Sequence, residues 1–216
     1  MALYPDDNLV RGRQISIQPS RAGAPAFDRG VVTTIHQGDC LVGNEKDLTF
    51  STILGSCVSA CIRDVEAQVG GMNHFLLAEP SGNAWDRYGA SARYGAFAME
   101  QLINKVLQRG TGRKANLEIK VFGGGLINSA LTDVGAKNIE FVREFLENEG
   151  YTIAGEDVGG TFARRVMFKP HSGRAFVKRL DSSAAANVAR EELSIVGRRR
   201  AAVVVPRPAA DDIELF

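Results

Sequence analysis

The stretch that most constrains this chain runs over 51–64, Ser-Thr-Ile-Leu-Gly-Ser-Cys-Val-Ser-Ala-Cys-Ile-Arg-Asp, with Gly70-Gly71-Met72-Asn73-His74 close behind it. Val58, Ala60 and Ile62 alternate with Ser59 and Cys61, the period-two pattern of a half-buried strand. Met72, His74 and Leu76 share one parity of the next segment. Taken as a hairpin with its turn centred on Val65 and Glu66, the two segments set Cys57 opposite His74 on one face, with Cβ atoms about 5 Å apart. A slip of one residue would put the two side chains on opposite faces.

That pairing carries chemistry. A thiolate is a nucleophile where a thiol is not, and a histidine within hydrogen-bond reach can take the proton and later return it to a leaving group. The small residues Gly55 and Ser56 let a substrate approach the backbone closely. The N–H of Cys57 can then point at the oxyanion of a tetrahedral intermediate. Taken singly, Cys57 is more often a packed thiol and His74 a satisfied core histidine. Cys57, Cys61 and His74 also supply three potential zinc ligands. No fourth ligand lies close in sequence, with Cys40 and His36 only distant additions, so no metal site is expected. Cys61 reads as strand packing, and Cys40 as a structural thiol.

Leu54-Gly55-Ser56-Cys57 followed by Gly70-Gly71-Met72-Asn73-His74 resembles the active-site region of the CheD family, the chemoreceptor glutamine deamidases of bacterial chemotaxis. The likeness continues through Phe122-Gly123-Gly124-Gly125, Val134-Gly135-Ala136-Lys137-Asn138, Glu156-Asp157-Val158-Gly159-Gly160 and Arg164-Arg165-Val166. It spans about residues 31–180, in order. The resemblance implies hydrolysis of a protein glutamine to glutamate through a cysteine thioester, with Cys57 as nucleophile, His74 as acid and base, and no cofactor. It also implies a threonine six residues before the cysteine that orients the imidazole; here that position is Ser51, which keeps the hydroxyl but lacks the β-methyl that restricts χ1. Thr52, on an extended strand, would face the other way. The implied substrate is the helical cytoplasmic region of methyl-accepting chemotaxis receptors, and the family also binds a CheC-type phosphatase. Two alternatives stay open: a binding module that regulates such a partner with weak catalysis, and a cysteine enzyme that passes its acyl group to an amine.

Composition narrows the classes further. The 216 residues are 44% hydrophobic and 24% charged with a formal net charge of +1, which suits one domain with a full core. Near-neutral charge gives no general case for nucleic acid or membrane surfaces. No apolar run is long enough to span a bilayer, and no signal-peptide core opens the chain. Three cysteines are too few and too odd for a disulfide framework, so a reducing, cytoplasmic setting is expected.

The expected fold is α+β: mixed β-sheet layers flanked by amphipathic helices in one domain, with the layering implied by the resemblance to cysteine-dependent deamidases. Residues 1–30, rich in Pro, Gly, Arg and Asp, read as a flexible extension. The domain covers 31–180. Strands are expected over 31–35, 49–54, 117–122, 151–154, 164–169 and 175–180 besides the hairpin, with a turn at Gly38-Asp39-Cys40. Met99, Leu102, Ile103, Val106 and Leu107 fall on one stripe of a helix over 91–109, and Ile139, Val142, Phe145 and Leu146 on one over 136–149. Residues 79–90, with Trp85 and Tyr88, read as a loop rimming the site. Gly123-Gly124-Gly125 lacks the ending of a phosphate loop and reads as a tight turn near the site. His171 falls in the last hairpin turn and reads as an exposed residue. Residues 181–216 read as a short helix over 181–196 and then a disordered tail.

Overall fold

The computed structural model describes residues 30–77, 84–127, 134–181, 186–188 and 190. The N-terminal extension and the tail beyond 190 therefore lie outside the described residues, as do 79–83 of the expected rim loop. Residues 186–188 and 190 are helical, within the helix expected over 181–196.

Among the described residues, nine strands form two mixed sheets. In the first, β1 (Val32–Thr34), β3 (Thr49–Leu54), β8 (Arg164–Lys169) and β9 (Arg174–Arg179) lie in the order β1-β3-β8-β9. In the second, β2 (Cys40–Gly43), β5 (Val69–Asn73), β4 (Val58–Asp64), β6 (Leu117–Gly123) and β7 (Ile153–Val158) lie in the order β2-β5-β4-β6-β7. Each sheet holds one parallel pair, β1–β3 and β6–β7. Among the described residues two long α-helices, α1 (Ala84–Arg109) and α2 (Val134–Asn148), pack against the second sheet.

Burial sorts these elements into three layers. One core cluster joins Phe50, Leu54, Val166 and Phe168 of the first sheet to Cys61, Met72 and Phe122 of the second, so the sheets pack face to face. A second cluster joins Val58, Ala60, Ile62, Ile119 and Val121 to Met99, Leu102 and Val106 of α1 and Val142 and Leu146 of α2. Burying each such helix side chain contributes roughly 1.5–3 kcal/mol. The middle sheet is thus covered on both faces. Val58 through Ile62 are all essentially inaccessible, so β4 is buried on both faces instead of the half-buried strand expected from its alternation.

Three boundaries differ from the sequence expectation. Helix α1 begins at Ala84, so Trp85 and Tyr88 stand on its first turns and not on a loop. Cys40 opens strand β2 and does not close a turn. Strand β7 runs on to Val158. His171 lies in the β8–β9 turn as expected but is half-buried, not exposed, with its carbonyl accepting from Arg63 Nε at 3.0 Å.

The hairpin register also moves. Asp64 pairs with Val69 and Cys61 with Met72, so the connection is four residues, Val65–Gln68, and not a turn centred on Val65 and Glu66. Gln68 sits at φ 57°, left-handed backbone uncommon for a non-glycine residue. Asp64 holds this turn. Its carboxylate accepts from the N–H groups of Glu66 and Ala67 and from the N–H and hydroxyl of Thr111.

Candidate active site

Between Leu54 and Val58 the chain leaves one sheet and enters the other. Gly55 and Ser56 make that bend, and Cys57 follows it directly. The Cys57 side chain joins the cluster between the sheets, only 1% exposed, beside Leu54, Met72 and Leu76. Three consecutive carbonyls of the bend are held: Gly55 O by Gly125 N at 2.6 Å, Ser56 O by Asn138 Nδ2 at 2.8 Å and Cys57 O by Gly124 N at 2.7 Å. The glycine run after β6 is what allows this approach. Gly123 has φ 112°, and a Cβ there would lie 2.1 Å from Cys57 O. The expected tight turn is therefore a backbone clamp on the bend.

His74 lies where β5 peels away from β4. The ladder pairs Cys61 with Met72 and resumes as a bridge between Val58 and Phe75. In the gap, the Asn73 side chain takes over: its Oδ1 accepts from Ala60 N at 2.8 Å and its Nδ2 donates to Ala98 O of α1 at 3.0 Å. The His74 backbone turns instead toward the segment before β2, donating to Asp39 O at 3.1 Å and accepting from Gly38 N at 2.7 Å. The shift of register is by two residues, so parity survives. Cys57 and His74 stay on the same face, as diagonal instead of directly opposed neighbours. Diagonal positions sit about 7–8 Å apart, still within reach of an imidazole.

The hydroxyl at the imidazole belongs to Thr52. Thr52 Oγ1 lies 2.9 Å from His74 Nδ1 and donates to Ile35 O at 2.7 Å. The expectation that Ser51 would fill this place is corrected. Phe50, Thr52 and Leu54 share the face of β3 that meets the second sheet, where Phe50 and Leu54 join the inter-sheet core. Ser51, one residue away on an extended strand, points to the opposite face. The parity that the apolar pair Phe50 and Leu54 sets was the available signal; the six-residue offset overrode it.

This geometry selects a tautomer. A threonine hydroxyl has one proton, and here it goes to Ile35 O. Toward His74 the oxygen can then only accept, so Nδ1 carries the ring proton and Nε2 is the basic nitrogen. The third group of a nucleophile–base pair acts in this way, by holding ring orientation and tautomer. Asn73 and Asn138, which shape both limbs of the site, were not singled out from the sequence.

The other two thiols are also buried. Burial pushes the Cys61 thiol well above its ordinary range and raises that of Cys40, where Lys105 partly opposes it. Among the described residues no group of three or more His, Cys, Asp and Glu side chains is placed to hold a metal ion. Beside His74 lies a small pocket of about 30 Å³ lined by Asp39, Asn73, Tyr94, Phe97 and Gln101 among others. Phe97 is 60% exposed, so this flank of the site presents an aromatic to solvent. No described helix is long and apolar enough to cross a membrane.

Known proteins resemble this chain over most of its length. A protein of Ruegeria sp. (strain TM1040) named probable chemoreceptor glutamine deamidase CheD 1 is 44% identical over 190 residues, covering 88% of this chain and 98% of that one. This chain belongs to the CheD family. Probable chemoreceptor glutamine deamidases CheD of Hahella chejuensis and Caulobacter vibrioides are 46% and 42% identical, covering 68% and 88% of this chain and 70% and 95% of theirs. The CheD family model, described as chemotactic sensory transduction, matches residues 76–179. That segment includes the glycine clamp, α2 with Asn138, and the strands β8 and β9. It begins just after His74, so Thr52, Cys57 and His74 lie outside it.

Proposed function

We propose that this CheD-family chain hydrolyses glutamine side chains of methyl-accepting chemotaxis receptors to glutamate. The relay from His74 Nδ1 through Thr52 Oγ1 to Ile35 O, on the face that carries Cys57, is the observation that most supports this reading. The names of its relatives supply the substrate class. In the mechanism, His74 Nε2 takes the Cys57 proton and the thiolate attacks the glutamine carbonyl carbon. The Cys57 N–H steadies the oxyanion, with Gly55 and Ser56 shaping the approach. His74 returns the proton to the amide nitrogen as the C–N bond breaks, so ammonia leaves and a thioester remains. His74 then removes a proton from water, hydroxide equivalent adds to the thioester, and the Cys57 thiol is released with glutamate. These steps call for no cofactor. Receptor cytoplasmic regions place the work in the cytoplasm. A CheC-type phosphatase is the proposed regulatory partner.

The test is incubation of a receptor cytoplasmic fragment with wild type and with Cys57→Ala, read by peptide mass spectrometry. Conversion of glutamine to glutamate by wild type alone supports the proposal. A larger added mass from an amine means acyl transfer. No change, with binding retained, means a binding module.

A further inference from the structure

We infer that Asn138 is a positioning residue for the oxyanion-binding peptide of Cys57, an inference that rests on the cysteine mechanism proposed above. Asn138 sits on the inward stripe of α2 with Val142 and Leu146 and is fully buried. An amide in such a place costs stability unless both its ends are bonded. Both are: Nδ2 donates to Ser56 O at 2.8 Å and Oδ1 accepts from Leu77 N at 2.8 Å. A carbonyl can only accept and an N–H can only donate, so the partners themselves fix which way the amide faces.

Ser56 C=O and Cys57 N–H belong to one planar trans peptide, and no cis bond occurs among the described residues. In such a unit the two groups point in opposite directions. Drawing the carbonyl toward α2 therefore aims the N–H away from the helical layer, to the side where the Cys57 side chain and His74 lie. A donor on the carbonyl also polarises the peptide, which strengthens its N–H as a donor. The neighbouring carbonyls, Gly55 O and Cys57 O, are tied by backbone N–H groups of Gly125 and Gly124. Asn138 is thus the side chain that completes a backbone clamp on the bend. Its second bond, to Leu77, ties the segment that follows His74 to the same amide, so one residue spans the nucleophile limb and the histidine limb.

The experiment separates oxyanion binding from thiol reactivity. Asn138→Asp keeps the size and the acceptor for Leu77 but sets a carboxylate oxygen against Ser56 O; Asn138→Ala removes both bonds. Deamidation of a receptor fragment and alkylation of Cys57 by iodoacetamide are measured on the same folded samples, checked by circular dichroism. Alkylation is a displacement at a saturated carbon and forms no oxyanion. The expected result is a fall in kcat on the order of a hundredfold, with KM and the alkylation rate of Cys57 unchanged. Parallel loss of both rates, no loss of either, or failure of both variants to fold would assign Asn138 a structural role only and overturn the inference. Failure of the underlying mechanism looks different: Cys57→Ala would retain deamidation whatever Asn138 does.

Discussion

Replacing Thr52 by Val tests the imidazole relay with little change of shape. Valine keeps the β-branch and the volume of a residue only 2% exposed, and removes only the oxygen. Two buried groups then lose their partner, Ile35 C=O and His74 Nδ1–H. A buried group left without its bond costs about 1–3 kcal/mol, so the pair should cost about 2–6 kcal/mol. For a domain of this size that lowers Tm by roughly 4–24 °C. The catalytic effect comes on top: without the acceptor, the Nδ1–H tautomer and the ring plane are no longer held. A fall in kcat of about 10–100-fold, or about 1.4–2.7 kcal/mol, is expected. Initial rates of glutamine-to-glutamate conversion, taken by mass spectrometry below the variant's Tm, measure it. Thr52→Ser retains the oxygen and should keep most activity, while Ser51→Ala, on the other face of β3, should leave kcat alone. Unchanged turnover in Thr52→Val, or loss in Ser51→Ala, would refute the relay.

Exposure ranks Cys40 first among the thiols, at 7% against 1% for Cys57 and Cys61, whereas chemistry ranks Cys57 first, since it shares a face with the His74 imidazole while burial raises the thiols of Cys40 and Cys61. Iodoacetamide near neutral pH, followed by peptide mapping, should therefore modify Cys57 first and abolish deamidation; first labelling of Cys40 would contradict the assignment. Asp64 is buried, which by itself would raise its carboxyl, but hydrogen bonds from Ala67, Thr111 and Glu66 outweigh this and hold it below its ordinary value. Its contribution is complete above the unfolded value of about 3.9 and is lost as pH falls through the lower folded value. The gap in urea midpoint between wild type and Asp64→Asn should thus be wide at pH 7 and close in acid; a gap independent of pH would sink this reading. Arg164 is fully buried and bonded to Asp157 and to Gly159 O, so Arg164→Leu, which strands Asp157, should cost about 3–5 kcal/mol in denaturant unfolding.

Most strands and the bodies of both helices were legible because their apolar residues repeat with the right period, whereas the four-residue β2 and the first turns of α1, read as turn and loop, show no such repeat. The order of strands was not, since β3–β8 and β4–β6 pair residues far apart in the chain and no local pattern records such partners. The same-face relation of Cys57 and His74 could be read because a register error of two residues preserves parity. Their diagonal offset could not, because the four-residue turn depends on left-handed backbone at Gln68, which the side chain does not announce. Thr52 was within reach of the period-two rule through Phe50 and Leu54. Asn138 left a visible trace, a polar residue on the apolar stripe of α2, but its partners Ser56 and Leu77 come from other elements and only the fold brings them together.

The covalent role of Cys57 is tested most directly by acid quenching during turnover. The protein is mixed with a glutamine-bearing receptor peptide, quenched within a turnover time and analysed by intact mass and peptide mapping. A peptide adduct on Cys57 that hydroxylamine releases, absent from Cys57→Ala, is the predicted result. Undiminished deamidation by Cys57→Ala, or an adduct on Cys40 or Cys61 instead, would contradict it.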